Sequence, residues 1–249
     1  MIATVPWLAQ YPILRTYSLW RVAEKLYTAT TQAIRKQLRN EIEAVLRATP
    51  DSCLPPSGEY GAPPDLFLTF QSSLTTQEKE LLALHIRYIS QQCPHCGAIA
   101  RTRKFPMLAA QVFCEDELLS PLQQVGLAIR QKLRGRCAKR GTPNLDEIQV
   151  QTPPMVYLVA SSAIEWHGSE IQMAADRQHD ELFGSRYQLV AVVCFRRNHF
   201  FSLLHLDNQW CLADDLQSLS IPTYCDSLSS LQVPPETNIA GLMYIANIL

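Results

Sequence analysis

An α+β fold is what this chain predicts, with helix gathered near its start and antiparallel strand toward its end. Three observations predict it. Apolar residues between Trp20 and Ala48 recur at helical steps, Tyr187 to Gln217 reads as three strands joined by short polar breaks, and Ala240 to Ala246 is a nearly unbroken apolar run. With 249 residues the chain could form one large domain or two modest ones, enough in either case to bury a substantial core, and it is read as a single domain over residues 1–249. Its formal net charge of -1 gives no global excess that would draw it to nucleic acid or to an anionic membrane surface. No apolar run reaches the roughly 18 to 20 residues that cross a bilayer. The first twenty residues lack the basic start and small-residue cleavage site of a secretory signal. The expectation is an intracellular protein, of nucleus or cytoplasm, with no nucleic-acid or membrane partner.

Taken in order, Val22, Leu26, Ile34, Leu38, Ile42, Val45 and Leu46 alternate with lysine, arginine and glutamate at three- and four-residue steps. This is an amphipathic helix interrupted near Thr30 and ended by Pro50. Asp51 to Asp65, with four prolines and two glycines, reads as a surface loop carrying an exposed Cys53. Leu66, Leu68 and Phe70 then alternate as in a strand. Thr75 and Glu78 have the spacing of a capping box, but the alternation of Leu82, Leu84, Ile86 and Tyr88 favours a strand. Gln111 to Gly135 reads as a helical or irregular insertion. It runs into a basic cluster, Arg130, Lys132, Arg134, Arg136, Lys139 and Arg140, without aromatic residues for base stacking, and so is read as a solvated face. Thr152-Pro-Pro leads into a strand from Met155, and Trp166, His167 and Gly168 form a connecting segment with His167 as a loop histidine. The run at Ala240 to Ala246 has the composition of a central strand.

Two constellations carry chemistry. Cys93 and Cys96 in Cys-Pro-His-Cys-Gly have the two-residue spacing that lets two thiolates converge on one metal ion. Cys137 is a third candidate zinc ligand. Position 140, where the second cysteine of its pair would stand, is Arg140, so His95 or Cys114 would complete the site, and a degenerate ribbon without metal is an equal alternative. Cys194 and Cys211 lie inside apolar strand patterns, where reduced thiols pack as small hydrophobes. The second constellation is the meander. His199 begins its second strand, and Asp214 and Asp215 follow its third, so the antiparallel arrangement sets histidine and acid side by side. An acid on one imidazole nitrogen fixes the tautomer, leaving the other nitrogen to accept the proton of a nucleophile.

The order of these features, a CxxC knuckle, a half-lost second knuckle, Pro-Pro before an apolar strand, Tyr-x-Leu-x-x-Val-Val, Asn-His-Phe, Trp-Cys-x-x-Asp-Asp and a last strand with Leu-Met-Tyr, resembles the ubiquitin-specific protease family. The nearest likeness is to the ubiquitin-specific-protease-like SUMO isopeptidase, and it covers Leu66 to the C-terminus. The resemblance implies a papain-like fold with an N-terminal helical thumb, an antiparallel β palm and a degenerate zinc-ribbon fingers region. On that division residues 1–50 belong to the thumb, 51–65 are the Pro-rich loop, 66–160 the fingers and ribbon, and 161–249 the palm. It also implies His199 as general base, Asp214 with Asp215 as the orienting acid, and Cys93, Cys96 and Cys137 as ribbon ligands or their remnants. Ubiquitin or SUMO is the implied protein partner, and structural zinc the implied cofactor.

The chain departs from the family at the nucleophile. The stretch similar to the family's cysteine segment is Val5-Pro6-Trp7-Leu8-Ala9, where Pro6 stands in the place of the cysteine. Proline has neither a thiol to attack an isopeptide carbonyl nor an N–H to donate to an oxyanion. Three readings follow. The first is a pseudo-isopeptidase or scaffold that binds ubiquitin, SUMO or another protein. The second is an active cysteine isopeptidase using Cys53 or a cysteine upstream of this chain, and the third is a structural subunit without modifier binding.

Overall fold

The computed structural model describes residues 21–22, 25, 28–56, 63–90, 100–108, 110–112, 119–133, 145–166, 179–214 and 224–247. Its helices gather before residue 82, with one more in mid-chain, around two sheets that are antiparallel in all but one pairing. Helix α1, Gln32–Arg47, starts at Thr31, whose hydroxyl accepts from the Ile34 N–H, so the interruption expected near Thr30 is an N-cap. Leu38 and Leu46 point inward. The coil after it is shorter than the sequence suggests, because Pro63 already belongs to α2, Pro63–Ser73.

Helix α2 replaces the strand expected over Leu66 to Phe70. Phe67, Phe70 and Leu74 lie on its inner side, at steps of three and four, whereas Leu66 and Leu68 are exposed. Five residues of alternating apolar character fit both periods, and the longer 67–70–74 pattern with proline at the helix start decides for helix. The capping box at Thr75 is formed as well. Glu78 Oε2 accepts from the Thr75 N–H at 2.8 Å, the Glu78 N–H donates to Thr75 Oγ1 at 3.3 Å, and the short helix α3, Thr76–Leu81, follows. The expected strand comes directly afterwards as β1, Ala83–Ser90.

Strand β1 is the middle of a three-stranded sheet, between β2, Ala100–Pro106, and β4, Leu145–Gln151. The larger sheet has eight strands. Along it run β10 (Tyr224–Cys225), β9 (Gln209–Ala213), β8 (His199–Leu206), β7 (Ser185–Arg196), β11 (Thr237–Ala246), β5 (Met155–Trp166) and β3 (Ala110–Val112), while β6 (His179–Leu182) pairs with β7. The expected meander is β7–β8–β9, and the last strand is central, as its composition indicated. Trp166 ends β5 and does not lie in a connecting loop. Pro153 and Pro154 precede β5 and serve it through their carbonyls, which accept from Tyr187 Oη at 2.6 Å and from the Ala246 N–H at 2.8 Å.

Both faces of the large sheet are covered, and strand alternation divides its residues between two cores. On one face Val156, Leu158, Val192, Cys194, Phe201, Leu203, Ile239 and Leu242 pack with β1 and with helix α4, Pro121–Leu133. On the other, Tyr157, Val159, Val190 and Met243 pack with α1, α2 and the segment after α3. Helix α4 is therefore a core element and not a peripheral insertion: Leu122, Val125, Ile129 and Leu133 are all buried. Each such side chain contributes about 1.5–3 kcal/mol by leaving water.

A close approach fixes the second core. The Cα of Gly241 faces Tyr157, and a Cβ there would run into the tyrosine hydroxyl. Gly241 also follows a bulge in both of its pairings. The Phe67 ring of α2 stacks on the same tyrosine. Among the described residues its hydroxyl has no hydrogen-bond partner, and burial pushes its pKa up.

Candidate functional site

Two tight hairpins build the corner where the expected site residues meet. Arg197 and Asn198 link β7 to β8 with φ of 47° and 63°, and Asp207 and Asn208 link β8 to β9 with φ of 49° and 63°. Left-handed backbone at both central positions matches the twist of the flanking strands, and Asn and Asp tolerate it best among non-glycine residues. The turn between β7 and β8 is thus two residues long, and Arg196 belongs to the strand. Register follows from the turns. Arg196 lies opposite His199, Cys194 opposite Phe201, and Ser202 opposite Ala213, so Asp214 leaves β9 beside the start of β8.

There His199 Nε2 and Asp214 Oδ1 are 2.7 Å apart, with 25% and 15% of their side chains exposed. The sequence expectation that brought these two together is met in geometry. With the acid on Nε2, Nδ1 is the nitrogen on which base chemistry would run. His199 shares its face of the sheet with Phe201 and Leu203, the face of the first core.

The described thiols do not supply a nucleophile to this pair. Cys53 is exposed, but its N–H donates to Thr69 Oγ1 of α2 at 2.9 Å and its neighbour Leu54 packs in the second core, across the sheet from His199. Cys194 shares the face of His199 but is fully buried, and burial pushes its thiol up to about 12, far from the thiolate an attack requires. Burial also raises the Cys211 thiol, which lies opposite Leu204 on the second face. Cys225 donates to the Ser230 carbonyl at 3.8 Å.

Asp215, Cys93, Cys96, Cys137, Pro6, His95, Cys114, Arg140 and His167 lie outside the described residues. Among the described residues no three histidine, cysteine or acidic side chains gather to hold a metal. Ser90 pairs with Leu145 and Ile89 with Ala100, so the described ends of β1, β2 and β4 meet at one end of the three-stranded sheet.

Two further polar centres escaped the sequence reading. Asp180, buried on β6, accepts from the Ser120 hydroxyl, from the Leu122 N–H at 3.0 Å and from the Glu181 N–H at 2.7 Å, which places a carboxylate on the N-terminus of α4. The Ser-Pro-Leu-Gln start of α4 was a visible signal, since Ser120 and Gln123 also bond reciprocally. His205, on the same strand and face as His199, stands over Trp210 with ring centroids 5.0 Å apart, and its Nδ1 lies 3.2 Å from Gln188 Nε2. Desolvation lowers its pKa, partly offset by a hydrogen bond to the Asn208 backbone.

No protein-family model matches the sequence, and no curated protein matches it. Among solved structures the chain is similar to the apo Pan2 pseudoubiquitin hydrolase–RNA exonuclease module of Saccharomyces cerevisiae, determined with A7 RNA. Identity is 12% and the TM-score 0.48, over 92% of this chain and 47% of that one, so this chain spans about half the length of its neighbour. A match that loose assigns neither family nor site. Among the described residues, no helix is long and apolar enough to cross a membrane.

Proposed function

We propose that this chain is a ubiquitin-specific-protease-like domain working as a pseudo-isopeptidase, a scaffold that holds ubiquitin, SUMO or another protein partner without cleaving it. One observation carries the reading: the His199–Asp214 pair is assembled at 2.7 Å, while each described thiol is across the sheet, buried or engaged elsewhere. A histidine oriented by an acid, without a thiolate, can still line a pocket for an extended chain end. The same intact pair favours a second reading, an active cysteine isopeptidase whose thiol comes from outside the described residues.

Ubiquitin and SUMO carrying a thiol-reactive group at the C-terminus separate the two. The scaffold reading expects no covalent adduct with either. An adduct that disappears in His199→Ala would establish the enzyme instead. Titration of labelled ubiquitin and SUMO tests the partner, and absence of binding to both would leave the structural-subunit role. We also propose that zinc, if held, is held by Cys93, Cys96 and Cys137 with His95 or Cys114. Metal analysis below half an equivalent would show that the ribbon has lost it.

A further inference from the structure

Arg196 is the direct cross-strand neighbour of His199, on the same face of the sheet, one residue before the Arg197–Asn198 turn. Side chains so paired have Cβ atoms about 4.5–5.5 Å apart. The turn fixes their relation, since both its residues hold left-handed backbone and leave the hairpin no slack. Yet Arg196 Nε is buried and, among the described residues, has no acceptor. A buried, unpaired guanidinium N–H is costly unless an acceptor arrives.

Among the described residues the nearby acids are placed for other partners. Asp214 Oδ1 is given to His199, and Glu236 faces the exposed Arg197 at 3.6 Å. Arg197 and Arg196, adjacent in sequence, therefore differ: one is a surface cation with its acid, and the other turns an unmatched donor inward beside the candidate base. A guanidinium binds a carboxylate through parallel N–H donors, and such charge-assisted bonds are roughly twice as strong as neutral ones. In a site built around a histidine base, the acyl end of the bound chain lies next to that histidine. An uncleaved acyl end is an amide and carries no charge, whereas a free end is a carboxylate.

We propose that Arg196, beside the His199–Asp214 pair, is the receptor for a free C-terminal carboxylate, so that the scaffold selects an unconjugated modifier over one whose C-terminus is blocked. This rests on the modifier-binding reading above and adds to it the chemical form of the ligand. Arg196 is here a binding residue and takes no part in bond cleavage.

The experiment is fluorescence anisotropy with the full chain and four probes, ubiquitin and SUMO each bearing either a C-terminal acid or a C-terminal amide. The acid form of the modifier that binds is expected to bind at least about tenfold more tightly than its amide, the factor a charge-assisted hydrogen bond supplies. Arg196→Gln should abolish that preference by weakening the acid form alone. Arg196→Lys, which keeps the charge but not the fork, should retain part of it. Arg197→Gln should leave it unchanged, and thermal melting of each variant separates lost recognition from lost folding. Equal binding of acid and amide by the parent chain overturns the carboxylate receptor while leaving modifier binding in place. Binding of none of the four probes overturns both.

Discussion

The interior of the large sheet and its β8–β9 corner treat the same kinds of polar group in opposite ways. Asp180 and Asp214 lie on one face of the sheet, and each is the acid of a conspicuous hydrogen bond. Asp180 is 5% exposed and spends its oxygens on a serine hydroxyl and two backbone N–H groups. Asp214 gives an oxygen to an imidazole in a pair that solvent still reaches. The first acid completes a helix terminus and is shut off from a ligand by burial. The second orients a titratable ring at a surface where another molecule can arrive. Burial decides between the roles: Asp180 is enclosed with donors of the fold, whereas Asp214 stays within reach of solvent.

The strongest challenge to that contrast is steric and lies at the centre. Gly241→Val should destabilise the protein by at least about 3 kcal/mol, the upper part of the usual overpacking range. Its first added carbon already meets Tyr157. Urea unfolding measures this, and a Tyr157→Leu background should remove much of the loss; an unchanged loss there would mean that the tyrosine is not the obstacle. Next comes Asp180→Ala, expected to cost about 2–3 kcal/mol because it strands buried donors at Ser120 and Leu122. A change within about 0.5 kcal/mol, the size of an ordinary surface substitution, would erase the distinction between the two acids. Tyr157→Phe tests the interior with the opposite sign. Removing a buried hydroxyl without a partner should stabilise the protein by about 1 kcal/mol, seen as a raised urea midpoint.

His205 lies between the two regimes, and its lowered pKa sets the sign of a pH effect. Above about pH 6.5 the ring is neutral in both folded and unfolded chains. As pH falls through that value the unfolded chain takes up its proton first, so native stability declines until pH drops below the folded pKa. His205→Gln should flatten that part of the decline between pH 7 and pH 5. The smallest effect is expected at the corner. Asp214→Asn should alter stability by about 1 kcal/mol or less, the net worth of one hydrogen bond that solvent reaches. A loss as large as that of Asp180→Ala would show the corner to be structural after all.

Much of the fold was legible because it depends on local periodicity. The helix at Gln32–Arg47, the meander and the central last strand all follow from repeats of 3.6 or 2 read over enough residues. Leu66 to Phe70 was too short for that test, and the longer pattern of Phe67, Phe70 and Leu74, with Pro63 at the helix start, decided it. The His199–Asp214 pair was legible for a related reason, since two short turns leave an antiparallel meander only one way to bring them together. Arg196 was not, because a one-residue difference in where the turn begins moves it from loop to strand and onto the face of His199.

By itself, then, the sequence determined the first long helix, the β7–β8–β9 meander and the central last strand, the candidate base and acid, and the departure at Pro6. These are properties of short stretches and of residue types, and they survive without knowledge of distant neighbours. Only the tertiary structure decided which polar groups remain available. It set Cys53 across the sheet from His199, sealed Cys194 in the core, filled Asp180 with donors from α4 and left Arg196 Nε without an acceptor. The physical reason is that burial and hydrogen-bond partners are long-range quantities, fixed when strands far apart in sequence are laid side by side.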